Sequence, residues 1–328
     1  PPSPAAPSAR CPPCCSSAEA PATRGLSLLH IFSGEPRVGS FDDWGAELDV
    51  TVTQIDVKIG GHFHDVEQAH VREALLSAVS AGDFDVVWLG TPCASFSILW
   101  LEGDAQPPRS RAQPDGVDGL PGWQRRYLDL HNAFVSFSKE VALATFEAGG
   151  TYVIENPVDY GYRVSPHFRW AARAHCPLWL ATPMRRLAEA TRPSWASGTQ
   201  CGFGGDFKKP TTLMSAGPRA RRLRSFNELR CTHASHARSA VGVNEAGRNN
   251  SADAAAYPPL MCAWVMRALF GAEPMPAAAP SMLSLPSSAA LLEAVALATA
   301  ANVAAAATFS DDRGMGGAPL GGGSRGEY

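Results

Sequence analysis

Asp85-Val-Val-Trp-Leu-Gly-Thr-Pro-Cys-Ala-Ser-Phe-Ser97 runs from an unbroken apolar stretch straight into a Thr-Pro-Cys turn. Such a run, bounded by an acid and a glycine, reads as a short strand buried on both faces. The turn would then deliver the thiol of Cys93 to the strand's carboxyl end. Further along, Thr151-Tyr-Val-Ile-Glu-Asn-Pro157 repeats the design with a carboxylate. Two such strands in one sheet would set Cys93 and Glu155 at the same edge, where ligands of open α/β sheets bind. Alone, Cys93 would read as a small buried thiol. Paired with Glu155 it suits covalent attack assisted by an acid.

Outward from this pair, the chain alternates strand-like and helix-like segments. Leu26 to Phe32 reads as a first buried strand closed by a Ser33-Gly34 turn, and Val50 to Ile55 as a second strand ending at Asp56. Helical spacing follows in Val66 to Val79 and in Gln124 to Ala148, where Leu128, Phe134, Phe137, Val141 and Ala144 mark the apolar face. Ala254 to Phe270 reads as a turn at Tyr257-Pro-Pro259 and an apolar helix. The order predicts an α/β domain, a sheet with helices on both faces.

The two strings, with Leu28-Leu-His-Ile-Phe-Ser-Gly34 and Ala256-Tyr-Pro-Pro-Leu-Met-Cys262, resemble in sequence order the DNA cytosine-5 methyltransferases, over residues 26 to 270. Thr-Pro-Cys, Gln200-Cys-Gly-Phe-Gly-Gly-Asp-Phe-Lys-Lys-Pro-Thr-Thr-Leu213 and Cys231-Thr-His-Ala-Ser-His236 together look like the divergent methyltransferase-like proteins associated with mobile elements. The resemblance implies a Rossmann-like S-adenosylmethionine-dependent methyltransferase sheet and DNA as substrate. Cys93 would add to a flipped cytosine, and Glu155 would hydrogen bond to the ring. Phe32, Gly34, Asp56 and Asp65 would line the methionine, ribose and adenine portions of the cofactor. Pro92 would fix the approach of Cys93 and line the same pocket. Lys208 and Lys209 stand where the family carries arginines, and lysine supplies charge without the planar fork. Pro36, in Gly34-Glu-Pro-Arg-Val-Gly39, stands where the family commonly has glycine. These departures support a second expectation, a methyltransferase-fold nucleic-acid-binding protein impaired in catalysis. A cysteine hydrolase is disfavoured, because His131, His167 and His175 sit in no strand-end motif that would aim them at Cys93.

Charge is unevenly spread. Net charge is −3, yet from Arg163 to Arg238 there are 14 Lys or Arg against three acids. The densest run, Pro218-Arg-Ala-Arg-Arg-Leu-Arg224, offers Arg219, Arg221, Arg222 and Arg224 as phosphate contacts. The irregular stretch Leu101 to Gly122 occupies the place of the family's mobile catalytic loop, where Arg109 and Arg111 could grip DNA. Ser97, with Ser95, would bond a phosphate or simply finish the turn.

A small basic insert, residues 215–255, takes the place of a target-recognition domain, between a catalytic domain at 25–214 and its closing helix at 256–271. Cys201, Cys231, His233 and His236 are ligand types suited to zinc. Their irregular spacing favours the plainer reading, a thiol with solvent-facing histidines. Residues 1–24 and 272–328 are low-complexity and read as loose tails; the Cys11-Pro-Pro-Cys14 spacing has no second ligand pair near it. Eight cysteines without an extracellular hallmark suggest a reducing compartment, nuclear in a eukaryotic host and cytoplasmic otherwise. No apolar run reaches membrane-spanning length, and the Ala289 to Phe309 segment reads as a marginal helix.

Overall fold

Side chains alternate between two buried faces of the sheet. In Leu26–Ile31 (β1), Leu28 and His30 face one side while Leu29 and Ile31 face the other. Val50–Ile55 (β2), Val86–Leu89 (β3), Thr151–Pro157 (β4), Ser194–Thr199 (β5) and Pro210–Ala216 (β6) complete six strands in the order β2-β1-β3-β4-β6-β5. β1 to β4 are parallel, and β6 runs antiparallel to both β4 and β5. The computed structural model describes residues 25–102, 105–236, 238–242 and 250–271. The tails, with the Cys11-Cys14 pair and the Ala289 to Phe309 helix expected in them, lie outside the described residues.

Ala69–Ser80 (α3), Gly122–Glu147 (α4) and Thr182–Thr191 (α5) cover one face, around Leu29, Val87, Tyr152 and Met214. Phe41–Glu47 (α1), Pro259–Phe270 (α7) and the 3-10 stretch Ala220–Glu228 cover the other, around Leu28, Trp88 and Val153. Two single turns, Val57–Gly60 (α2) and Asn250–Asp253 (α6), flank the carboxyl edge of the sheet. This is the expected α/β layering, now seen as a six-stranded mixed sheet with helices on both faces.

α4 buries Gln124, Leu128, His131, Val135, Ser138, Ala142 and Thr145, a strict three-four spacing along one stripe. Phe134 and Ala144, read from sequence as part of that face, are only half-buried. α7 buries Met261 through Met266 and Ala268 through Phe270, so it is an interior helix apolar nearly all round. Trp264, fully buried against Phe203 and Phe226, anchors it. Trp264→Ala would cost about 3–5 kcal/mol. Residues 217–229, expected within the basic insert, instead place Leu223 and Phe226 in this core. The helical layer therefore extends further along the chain than the sequence indicated. Among the described residues no helix is long and apolar enough to cross a membrane.

Candidate active site

The chain enters β1, returns through α1 to β2 on one side, then crosses through α3 to β3 on the other side of β1. The strand order thus reverses between β1 and β3, and the crevice outside their carboxyl ends is where such sheets take ligands. A cleft of about 460 Å³ lies there, lined by Phe32 to Arg37 after β1, Gly90 to Cys93 after β3, Glu155 of β4, Lys209 before β6, and Tyr257. That volume suits a small-molecule cofactor, since such sites run to about 300–1,000 Å³.

Cys93 reaches this cleft because the Thr-Pro-Cys turn is anchored from behind. Asn156 Nδ2 donates to the Thr91 carbonyl at 2.8 Å, and Thr91 Oγ1 donates to Ser138 Oγ of α4 at 2.9 Å. Glu155 and its neighbour Asn156 thus serve both motifs: the strand that carries the carboxylate also fixes the thiol's turn. Gly90 lets the turn pass close to its surroundings. A Cβ there would lie 2.8 Å from the Phe32 carbonyl oxygen and 3.1 Å from the Tyr257 hydroxyl.

Glu155 is 5% exposed and held by three side chains. Gln200 Nε2 donates to its Oε1 at 3.1 Å, the Tyr257 hydroxyl donates to Oε2 at 3.1 Å, and Lys209 Nζ lies 3.6 Å from Oε1. Trp88 Nε1 in turn donates to the Tyr257 oxygen at 3.1 Å. Burial pushes the Cys93 thiol above its ordinary value; Lys209 pulls it down and the Glu155 charge pushes it up again. Burial and the same carboxylate hold the Tyr257 hydroxyl well above its ordinary range, so it is a donor at neutral pH.

Of the catalytic residues expected from sequence, Cys93, Glu155 and Lys209 meet in one cleft. Lys208 does not: it is exposed and lies outside the lining. Of the cofactor residues, Phe32, Gly34 and Pro92 line the cleft. Phe32 sits at φ 60°, a left-handed backbone that costs a non-glycine residue about 1–2 kcal/mol. Gly34 takes φ 75° and donates its N–H to Asp56 Oδ2 at 2.8 Å. Asp56 is spent there and on the Lys58 N–H as the cap of α2, outside the lining; the carboxylates that line the cleft beside Glu155 are Glu35 and Asp253. Asp65 also lies outside it, closing a turn onto Glu67 N–H and Gln68. Residues that the sequence did not single out are Tyr257, Gln200, Arg37 and Ser33. Ser33 Oγ and His30 Nε2 are buried without a protein partner beside this cleft. Burial, then Arg37, lowers the His30 imidazole to about 3, so it is neutral. Only the position of Gln200 in the Gln-Cys-Gly-Phe string could have marked it in advance.

The expected DNA grips are placed differently. Arg109 is 4% exposed, stacked 3.9 Å over Phe96 and bonded to Ser95 Oγ and the Pro114 carbonyl, so it builds the loop and does not face outward. Arg111 binds both Asp159 oxygens and the His175 carbonyl. Asp115 caps the start of α5 through Thr182, so the described part of the loop is tied at three points. Ser97 finishes a turn, accepting from Leu99 N–H. Arg219 and Arg222 donate to the carbonyls of Leu269 and Gly271 at the end of α7. Arg221 and Arg224 are exposed, but this run begins against Thr151, the first residue of β4, at the edge of the sheet opposite Cys93.

The carboxyl edge carries its own basic surface. After β4, Arg163 and Arg173 flank Trp170 at 5.7 and 5.2 Å, and Arg169 lies 4.9 Å over Tyr160. Trp170 is 63% exposed and Tyr162 56%. Lys208, Arg230 and Arg169 lie close enough to His167 to lower its pKa after burial. Neither His131 nor His175 gives Cys93 a base. Burial and Arg109 push His131 down to about 4, and buried His175 is taken up by the Phe96 carbonyl and the Tyr160 N–H.

Neither protein-family models nor curated proteins give a match to this chain.

Proposed function

We propose that this chain is an S-adenosylmethionine-dependent DNA cytosine-5 methyltransferase acting through covalent addition of Cys93. The observation that carries the reading is the convergence of Cys93 and Glu155 on one cleft at the switch point of the sheet. Phe32, Ser33, Gly34 and Pro92 would hold the cofactor, and the unpartnered Ser33 Oγ and His30 Nε2 offer it polar contacts. Arg37 and Lys58, also in the lining, suit its carboxylate. When bound, S-adenosylmethionine supplies an electrophilic methyl group.

The ring carbon at position 5 of cytosine is a poor nucleophile. Addition of the Cys93 thiolate at carbon 6 forms an S–C bond and leaves an electron-rich enamine, whose carbon 5 can accept the methyl. Glu155, entering as the carboxylic acid, donates its proton to ring nitrogen 3 and accepts from the exocyclic amine, so that the charge developing on addition is neutralised. Lys209 keeps a positive charge beside both groups and so favours the thiolate. Loss of the proton from carbon 5 to solvent, with return of the nitrogen 3 proton to Glu155, restores the double bond and expels Cys93 as the thiolate. The target base must leave the duplex to reach the cleft, and the Arg163, Arg169, Arg173 and Trp170 surface lies on the same edge to receive the backbone and stack exposed bases.

Radiolabelled methyl transfer to DNA tests this. Wild type should label cytosine, and Cys93→Ser should not; labelling by Cys93→Ser would sink the reading. The raised Cys93 thiol, and a lysine at Glu155 in place of a forked arginine, favour a second reading, a nucleic-acid-binding protein that retains the fold without transfer. DNA binding with neither cofactor binding nor label would select it.

A further inference from the structure

Cys201, Cys231, His233 and His236 present one ligand atom each, all within 4.8 Å of one another. Cys231 Sγ lies 3.3 Å from His236 Nε2 and 3.9 Å from His233 Nδ1. With Zn–S of about 2.3 Å and Zn–N of about 2.0–2.1 Å, a regular tetrahedron has sulfur–nitrogen edges of about 3.5 Å and a sulfur–sulfur edge of about 3.8 Å. The four atoms therefore already span the size of a zinc coordination shell. Sequence spacing obscured this. Cys201 comes from the turn after β5, far along the chain from the Cys-Thr-His-Ala-Ser-His run, and folding brings the two together.

We propose that these four residues form a structural zinc site. The segment that the metal would hold has little else to hold it. Residues 229–236 form neither helix nor strand, and Thr232 to Ser235 are exposed. Leu229 is the only residue of that segment to reach the core. Beyond it, Arg238 ties back through Asp253 and a lone bridge to Phe207. A segment that cannot bury apolar surface gains most from a metal staple. Two cysteines and two histidines, with no fifth donor among the described residues of the cluster, make the closed set typical of structural zinc and not of a catalytic site with an open position.

The placement has a consequence for the cleft. Cys201 directly follows Gln200, whose amide holds Glu155, and Cys231 directly follows Arg230 of the basic surface. A metal joining the two would fix both at once. The inference goes beyond methyl transfer and stands whether or not Cys93 is catalytic.

The full chain, purified without chelators, should contain one zinc per molecule by elemental mass spectrometry. Exchange with Co²⁺ should give the visible d–d bands of a tetrahedral site and a thiolate-to-cobalt charge-transfer band. Cys231→Ala and His236→Ala, both at partly exposed positions, should lose the stoichiometric metal while circular dichroism retains the α/β signature. If either variant fails to fold, the cobalt spectrum of the wild-type chain decides. No stoichiometric metal in wild type, no thiolate band, or a band that survives both substitutions would overturn the assignment.

Discussion

The Tyr257 hydroxyl donates to Glu155 Oε2 at 3.1 Å, although the two residues lie 102 positions apart. The carboxylate at the end of β4 is thus completed by the turn that starts α7, and the same oxygen of Tyr257 accepts from Trp88 of β3. Three segments meet at one hydroxyl. Tyr257→Phe removes both interactions. It should cost about 1–3 kcal/mol in denaturant unfolding, because the buried Trp88 N–H loses its acceptor. Methyl transfer should fall about 10- to 100-fold, as expected for losing a hydrogen bond to a charged group worth about 1.5–3 kcal/mol. Unchanged transfer would mean that Glu155 needs no help from Tyr257.

The two adjacent lysines separate cleanly. Lys209 touches Glu155 and lowers the Cys93 thiol, whereas Lys208 is exposed and outside the cleft. Lys209→Met should raise the thiol further and slow alkylation of Cys93, measured by mass spectrometry of the labelled peptide. Lys208→Met should leave that rate within about twofold, since exposed charges interact weakly. In wild type the alkylation rate should climb about tenfold per pH unit across the neutral range, because a thiol raised above its ordinary value is still mostly protonated there. A plateau below pH 8 would contradict the raised value.

Acid stability should follow His30. Its folded-state value, about 3, lies below the 6.5 of an unfolded histidine, so the unfolded chain binds the proton first. Stability from this residue is complete above pH 6.5 and is lost as pH falls from there toward 3, by up to about 1.4 kcal/mol per unit. Urea unfolding of His30→Leu across pH 4–7 should show a shallower slope than wild type. Equal slopes would mean that His30 is not the group responsible.

Salt dependence should map the proposed nucleic-acid path. Neutralising Arg163, Arg169 and Arg173 should flatten the slope of log K against log salt by about 0.9 for each duplex phosphate that is no longer neutralised. Arg111→Leu should leave the slope alone and instead lower stability, because Asp159 loses the guanidinium nitrogen that bridges both its oxygens. Arg219 and Arg222, which cap α7, belong with Arg111. Fluorescence anisotropy across a salt series reads all of these.

The parts of this fold that were legible are those where one strand carries its own pattern. Val86 to Leu89 and Thr151 to Pro157 are apolar runs with sharp ends, and β2 ends at Ile55 as its spacing indicates. β5, Ser-Trp-Ala-Ser-Gly-Thr, carries no such signal: apart from Trp195 its residues are small, and it is a strand because β6 pairs with it. Gly198 admits the Phe226 carbonyl, which would lie 2.4 Å from a Cβ there. The site divides likewise. Cys93 and Glu155 announce themselves through the turns that carry them. Tyr257 and Gln200 matter only through tertiary contact, and the arginines of the 101–122 stretch read as free cations until Phe96, Ser95 and Asp159 are seen around them. In the 219–224 run charge density marked a helix cap at Arg219 and Arg222 and exposed cations at Arg221 and Arg224, because a guanidinium serves a buried carbonyl as readily as a phosphate.

Covalent catalysis by Cys93 is decided by DNA containing 5-fluorocytosine, in which fluorine at carbon 5 blocks the final proton loss. Wild-type protein with S-adenosylmethionine should form a denaturant-resistant adduct through Cys93, visible as a shifted band and as a modified Cys93 peptide, and Cys93→Ala should form none while still binding DNA. Folded wild-type protein that binds both DNA and cofactor yet gives no adduct, or an adduct that persists in Cys93→Ala, would contradict covalent catalysis by this thiol.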